Sequence, residues 1–443
     1  MTLPPATHLS ELLELLGPPA HLEVLAERHE LLRFGSSRVT YQHSEERLLV
    51  RARIVRNGRT AWGTASSLRR TTLRDMREQL EAIVDALPAG SAAPLAEAGD
   101  GAPAQQTYFA STTRARADDR AALFRRALAA CPAGATLGGS ISHTLVEHAV
   151  ANTGGLLRRE RRTRVAAQFI GALHGRSSIG RALHRDAAAV PIDHALADVR
   201  DGLVDLPTRS LEPGVYRAVL SPQATNTLLA VYGQIALGGR QFLDGASSTS
   251  GRIGEQITSP LITLSDNGGD AAGLPTSFDS EGVLKRRVPL LDHGVLAGVV
   301  HDAETARRAG TQPTGHSAPP GWRFGADPIP SHLLMAAGSA TDADLVAACG
   351  TGLSIQRLDY VRVVNARHTL VTGTTRDATR WIETGRIAAR VPQFRFTVRL
   401  ADLLGSVEAV GSHRERGDTV FMESVVAPAI LVAAMPVQVV VAN

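Results

Sequence analysis

The chain has 443 residues, of which 44% are hydrophobic, 20% charged and 4% aromatic. At roughly 100–200 residues per domain this allows two or three domains with aliphatic cores. The formal net charge is only +4, with 47 basic residues against 43 acidic ones, so no nucleic-acid footprint is indicated. The basicity is carried by arginine, since Lys285 is the only lysine; this usage fits a GC-rich genome. Cys131 and Cys349, the only cysteines, make no disulfide framework and fit a reducing, cytoplasmic setting.

In chain order, Met1 to Gly17 has no basic leader and reads as a short amphipathic helix, not a signal peptide. Leu48, Val50, Ala52 and Ile54 alternate with Arg51 and Arg53, the pattern of a half-buried strand. Asn57-Gly58 then predicts a hairpin, with Thr60 to Ser66 as the returning strand. Thr72 with Asp75 is a candidate helix cap. Leu73, Met76, Leu80, Ile83, Val84 and Leu87 recur at helical spacing, so this helix should cover one face of the sheet. Pro88 to Gln105 reads as a linker or long surface loop. A helix over Ala115 to Cys131 follows. Ser140 to Ala151 and Arg162 to Ile170 then read as extended segments around a turn at Asn152 to Gly155. The basic run Arg158, Arg159, Arg161, Arg162 and Arg164 has no interleaved aromatics and reads as a solvated strand face. Ile192 to Val204 is a further helix.

From Gly214 the texture changes. A helix is expected over Pro222 to Leu237. Short strands follow at Leu261 to Leu264, Arg287 to Leu291, Val295 to Val300, Tyr360 to Asn365 and Phe394 to Leu400. The apolar stretch Val425 to Ala442 touches the length of a membrane span, at about 18 residues. Pro428, Pro436 and Gln438 argue instead for two buried strands broken at the prolines. The fold class is α+β: residues 1–205 form a domain of antiparallel sheet with flanking helices, and residues 206–443 a mostly antiparallel β domain.

Several segments of the second half stand in a telling order. They are Ser221-Pro222-Gln223-Ala224, Gly245-Ala246-Ser247-Ser248, Gly254-Glu255-Gln256-Ile257, Phe278 to Val283, Leu290 to Leu296, Asp302 to Arg308, Thr314-Gly315-His316, Gly350 to Leu353, Thr372-Gly373 and Ile382 to Ile387. Together they resemble the TldD/PmbA peptidase family. Ser280 and His316 depart from the family's pattern, which has Asp and Asn there. Active members are similar to metallopeptidases with a His-Glu-x-x-x-His helix, a motif that supplies two imidazoles on one face and a carboxylate to activate zinc-bound water. The helix after Ser221, where that motif is expected, reads Pro222-Gln223-Ala224-Thr225-Asn226-Thr227-Leu228-Leu229-Ala230 and holds neither His nor Glu. The Cys-Gly-Lys stretch of active members is also missing. The ending Ala427 to Val432 looks like TldE.

Other constellations have plainer readings. His29-Glu30 lacks a second ligand at zincin spacing and reads as a surface pair on a strand. His143, Glu147 and His148 read as an inverted zinc motif only on a helix; on a strand, His143 and Glu147 share a face and His148 points away. Cys349 reads as a packed residue near a helix end. Ser247, Ser248 and Ser250 read as a turn or backbone-binding loop. Asp279 and Glu281 could pair as carboxylates or shape a loop by bridging Arg286 or Arg287.

The resemblance implies a non-catalytic subunit of a TldD/TldE-type zinc peptidase. No catalytic or metal-binding residue is expected in this chain, and the zinc is expected in a TldD-like partner. A homodimer is the alternative assembly. The implied substrate is an unfolded or small peptide, held by strand addition and lined by Ser247, Ser248, Arg252, Glu255 and His316. Neither a membrane nor a nucleic-acid partner is expected. Two alternatives stay open: an independently active metallopeptidase with an atypical site such as the His143 group, and a non-enzymatic regulatory protein, since the family has also been labelled as modulators of DNA gyrase.

Overall fold

The structure, a computed structural model, describes residues 3, 5–17, 19–88, 90, 95–97, 103–318, 327–417 and 422–440. The linker reading at Pro88 to Gln105 falls largely outside them. The first half contains α1 (Ala6–Glu14), β1 (Ala20–Gly35), β2 (Arg38–Arg56), β3 (Arg59–Ala65), α2 (Arg70–Ala86), α3 (Ala110–Arg114), α4 (Ala117–Ala130), β4 (Thr136–Asn152), β5 (Leu157–Leu173), β6 (Arg176–His184) and α5 (Ile192–Gly202). Its strands form one antiparallel sheet in the order β3-β2-β1-β4-β5-β6.

The second half begins with β7 (Gly214–Leu220), α6 (Pro222–Ala236), α7 (Gly239–Leu243), β8 (Leu264–Asp266), β9 (Val288–Asp292), β10 (Val295–Leu296) and α8 (Ala303–Ala309). It continues through β11 (His332–Met335), α9 (Asp342–Cys349), β12 (Gly352–Asn365), β13 (Leu370–Glu383), β14 (Arg386–Arg390), β15 (Phe394–Arg399), α10 (Leu400–Gly405), β16 (Val407–Gly417), β17 (Ser424–Val437) and β18 (Val439–Val440). These strands form a twelve-stranded sheet. It is antiparallel except for β11 on β17 and β12 on β7, which run parallel.

Local chemistry explains the hairpins. Asn57 and Gly58 both take positive φ, at 50° and 71°, as a two-residue turn of the primed type requires. His174-Gly175, His293-Gly294 and Thr384-Gly385 repeat that geometry. The β1–β2 turn uses Ser36 and Ser37 with no glycine. Hydrogen bonds between Ser37 and Leu137 in both directions hold it.

Helix α2 buries Leu73, Met76, Leu80 and Val84 against the first sheet, whereas Ile83 is exposed. The expected cap at Thr72 is incorrect: the helix starts at Arg70 and has no side-chain cap. The C-terminal apolar stretch is not broken at its prolines either. Pro428 and Pro436 both lie inside β17, each with a ladder partner on one side only, Arg414 of β16 for Pro428 and Val215 of β7 for Pro436. Register shifts at Val410/Arg414 and Val432/Met435 flank the two prolines, and such bulges are where a residue without an N–H fits a ladder. Among the described residues, no helix is long and apolar enough to cross a membrane.

The seam between the sheets joins an apolar patch of Val150, Leu156 and Phe278 to many polar contacts. Arg185 donates to the carbonyls of Leu274 and Pro275, and Arg416 to those of Leu183, Ala271 and Ala272. Gln356 donates to Ile179 O at 3.1 Å, and Ser177 to Asp377 at 2.7 Å.

Candidate functional site

The helix expected to carry chemistry is α6. Ser221 caps it by accepting from Ala224 N at 3.2 Å, and its hydroxyl donates to Gln356 O at 2.6 Å. Pro222 follows at the first helical position, where its missing N–H costs nothing. Leu228, Leu229, Tyr232, Ile235 and Ala236 then sink into the largest core cluster. The polar groups of the first turns are amides and hydroxyls. Gln223 and Asn226 are buried, with Gln223 Oε1 and Asn226 Oδ1 lacking partners among the described residues. Asn226 Nδ2 donates to Glu415 O at 3.1 Å. With no imidazole, carboxylate or thiolate on this turn, the donor set does not fit the zinc that a His-Glu-x-x-x-His helix would hold.

Four of the five candidate peptide-lining residues sit together in the loop after α7. Ser247 is 5% exposed, and its hydroxyl donates to Ala236 O at 3.1 Å, tying the loop to the end of α6. Ser248 is half-buried. Arg252 pairs with Glu255 at 2.7 Å on the surface. His316 lies apart from them. It is buried, with Nε2 2.8 Å from Asp266 and Nδ1 2.9 Å from the Thr314 hydroxyl.

The inverted zinc motif is on a strand, β4, as its glycine-flanked pattern implied. His143 lies 3.2 Å from Arg120, itself paired with Glu30 at 2.7 Å. Glu147 accepts from Leu3 N and pairs with Arg161. His148 lies 3.0 Å from Glu23 and 4.0 Å from Glu160. The three side chains therefore serve separate partners: His143 is hydrogen-bonded to Arg120, while Glu147 and His148 pair with Arg161 and Glu23. The arginine run in β5 is only partly solvated. Arg159 and Arg161 are exposed, with Arg161 over the ring of Tyr108 at 4.2 Å, but Arg162 is buried against Glu160 at 3.1 Å. His29 is half-buried and bonded to Thr144, not a surface residue. Cys349 is buried at the end of α9.

Asp279 and Glu281 shape a loop, but through other partners than Arg286 or Arg287. Asp279 accepts from the backbone N–H groups of Glu281, Val283 and Ser317. Glu281 pairs with Arg53 of β2 at 3.3 Å and accepts from Ala303 N. Burial pushes both carboxyls up, and Asp279 adds to the shift at Glu281. The folded protein therefore keeps a proton that the unfolded chain releases near the ordinary Glu281 value of 4.5, and stability falls as pH rises above that value. Glu281→Gln should remove the Glu281 part of this slope, so urea unfolding at about pH 5 and about pH 8 should increasingly favour the variant at the higher pH. A difference independent of pH would show that Glu281 stays ionised.

Residues 213–439 match the PmbA/TldA metallopeptidase C-terminal domain. The chain belongs to the TldD/PmbA family. It is 31% identical over 157 residues to a protein of Haemophilus influenzae named Metalloprotease TldD homolog, covering 35% of this chain and 32% of that one. It is 27% identical over 285 residues to a Metalloprotease of Methanothermobacter thermautotrophicus, covering 60% and 61% respectively. The chain thus spans less than two thirds of these relatives. The crystal structure of TldE from Thermococcus kodakarensis superposes with a TM-score of 0.85 at 18% identity, over 98% of this chain and 100% of that one. The TldD/PmbA resemblance and the α+β fold read from the sequence are both borne out.

Proposed function

We propose that this chain is the non-catalytic subunit of a TldD/TldE-type zinc peptidase, located in the cytoplasm. The observation that carries this reading is α6: a helix capped and buried in the expected place, whose first turns offer amides and hydroxyls instead of zinc ligands. In this reading a TldD-like partner supplies the zinc and this chain helps to hold an unfolded or small peptide.

An unpaired strand edge supports binding by strand addition. β3 pairs only with Val50 to Arg56, so residues 38–49 of β2 have no second strand neighbour among the described residues. Val39 and Tyr41 on this stretch are 49% and 48% exposed. An unpaired edge offers backbone N–H and C=O groups to an extended chain whatever its sequence. Counting back from the Arg56–Arg59 pair, the alternation of an antiparallel ladder aims the Ser44 N–H at this free edge. The lining roles of Ser247, Ser248, Arg252, Glu255 and His316 remain part of the proposal, with His316 acting from beneath the surface.

Mixing tests the reading. The purified chain alone should cleave no unfolded peptide, and cleavage should appear when a homologue bearing the His-Glu-x-x-x-His helix is added. Cleavage by this chain alone would overturn it. In the mixture, Ser44→Pro should weaken peptide binding about tenfold through a lost backbone bond and steric block, leaving the β1–β2 pairing intact. Unchanged peptide affinity in this variant would remove the β2 edge as the binding surface.

A further inference from the structure

We propose that His194, His413 and Glu415 form a binding site for a divalent transition-metal ion of the zinc class, bridging α5 to β16. Among the described residues, this is the one group of His, Cys, Asp or Glu side chains whose ligand atoms gather this closely, all within 4.8 Å of one another. His194 Nε2 already lies 3.0 Å from Glu415 Oε1. The His194 and His413 rings meet edge-on, with centroids 5.4 Å apart.

The scaffold beneath these side chains is fixed. Helix α5 is seated by Ile192, Ala195, Leu196 and Val199, all buried, while His194 stays on the outer side. Glu415 is held by ladder pairing with Ala427 and by the bond from Asn226 to its carbonyl. Ligand atoms around a tetrahedral zinc with bonds of about 2.0–2.1 Å sit roughly 3.4 Å apart. The present spread of up to 4.8 Å must therefore contract, which movement of the exposed His413 side chain would supply.

Two imidazoles and one carboxylate are a donor set for zinc and its neighbours rather than for magnesium or calcium. Three protein ligands leave the fourth position to water. Two further carboxyls, those of Asp198 and Asp342, lie near His194. Asp198 stands one turn beyond His194 on the same face of α5.

The site is separate from the side chains of the first turn of α6 and needs no partner subunit. Its three ligands come from both sides of the seam. A bound ion would therefore clamp α5, which packs on the first sheet, to β16 of the second. It would also revise the expectation that this chain carries no metal, without making the chain a peptidase.

The test uses the full-length chain, stripped with a chelator and titrated with zinc alone. Calorimetry and elemental analysis should find one zinc per chain, and saturating zinc should raise the thermal unfolding midpoint. His194→Ala and His413→Gln should each weaken binding at least tenfold and abolish that rise. Both side chains are exposed, so each metal-free variant should unfold close to the metal-free wild type. Failure of the wild type to retain zinc would overturn the proposal. So would equal zinc affinity in a chain carrying both substitutions.

Discussion

Replacing Glu23 by alanine is expected to lower stability by about 3–5 kcal/mol, the usual cost of removing one member of a buried ion pair. Glu23 is 2% exposed and accepts from Arg51 at 2.7 Å, with His148 at 3.0 Å on its other oxygen. Both partners are themselves buried. The chain of charges continues through Glu160 to Arg162, close to the seam with the second sheet. Alanine would leave the buried Arg51 guanidinium without the carboxylate it donates to. Urea unfolding near neutral pH measures the loss, and Glu23→Gln, which keeps an acceptor, should lose less. A cost under about 1 kcal/mol would mean that the pair is worth no more than a surface one.

The same pair predicts a pH dependence. Burial pushes Glu23 up, but His148 and Arg51 outweigh burial and hold the carboxyl below its ordinary 4.5. Asp266 behaves alike: burial opposes ionisation, while His316, His332 and Lys285 hold it well below its ordinary 3.8. A carboxyl lowered in the folded state stabilises above its unfolded pKa, and that contribution is lost as pH falls. The wild type should therefore weaken on acidification below about pH 4.5, and Glu23→Ala should show a shallower decline there.

A methyl group at position 180 is expected to cost about 3 kcal/mol, the upper end of ordinary overpacking. Helix α5 lies so close to β6 that a Cβ on Gly180 would stand 1.7 Å from Ala195 O and 2.5 Å from its carbonyl carbon. A backbone carbonyl cannot rotate aside as a side chain does, so in Gly180→Ala the whole helix must shift. Gly171 and Gly202 make similar close approaches, to Val199 and Ser178. Because α5 carries His194, the variant should also lose zinc affinity in the titration described above. Thermal unfolding and the zinc titration together check both effects. A variant of wild-type stability would show that α5 is not seated as described.

The elements that the sequence determined are those whose signal is local. Alternation in Leu48 to Ile54, the positive φ accepted at Asn57-Gly58, and the helical spacing of Leu73, Met76, Leu80 and Val84 each rest on a few neighbouring residues. The missing ligands on α6 were equally legible, since absence of His and Glu needs no coordinates. The turns at His174-Gly175, His293-Gly294 and Thr384-Gly385 were not read from the sequence, because histidine and threonine mark a positive-φ turn less strongly than asparagine does.

What only the tertiary structure decided is long-range. Pro428 and Pro436 argued for broken strands, yet bulges in β16 and in β17 itself admit both prolines into one continuous strand. Glu281 could not be matched to Arg53, or His194 to His413 and Glu415, from spacing, because these contacts cross the seam between two separately built sheets. The sequence by itself therefore determined the family, the fold class and the chemistry that α6 lacks. Where the buried charges pair and where metal ligands converge depended on how the sheets pack, since an ion pair or a metal site is defined by distance in space.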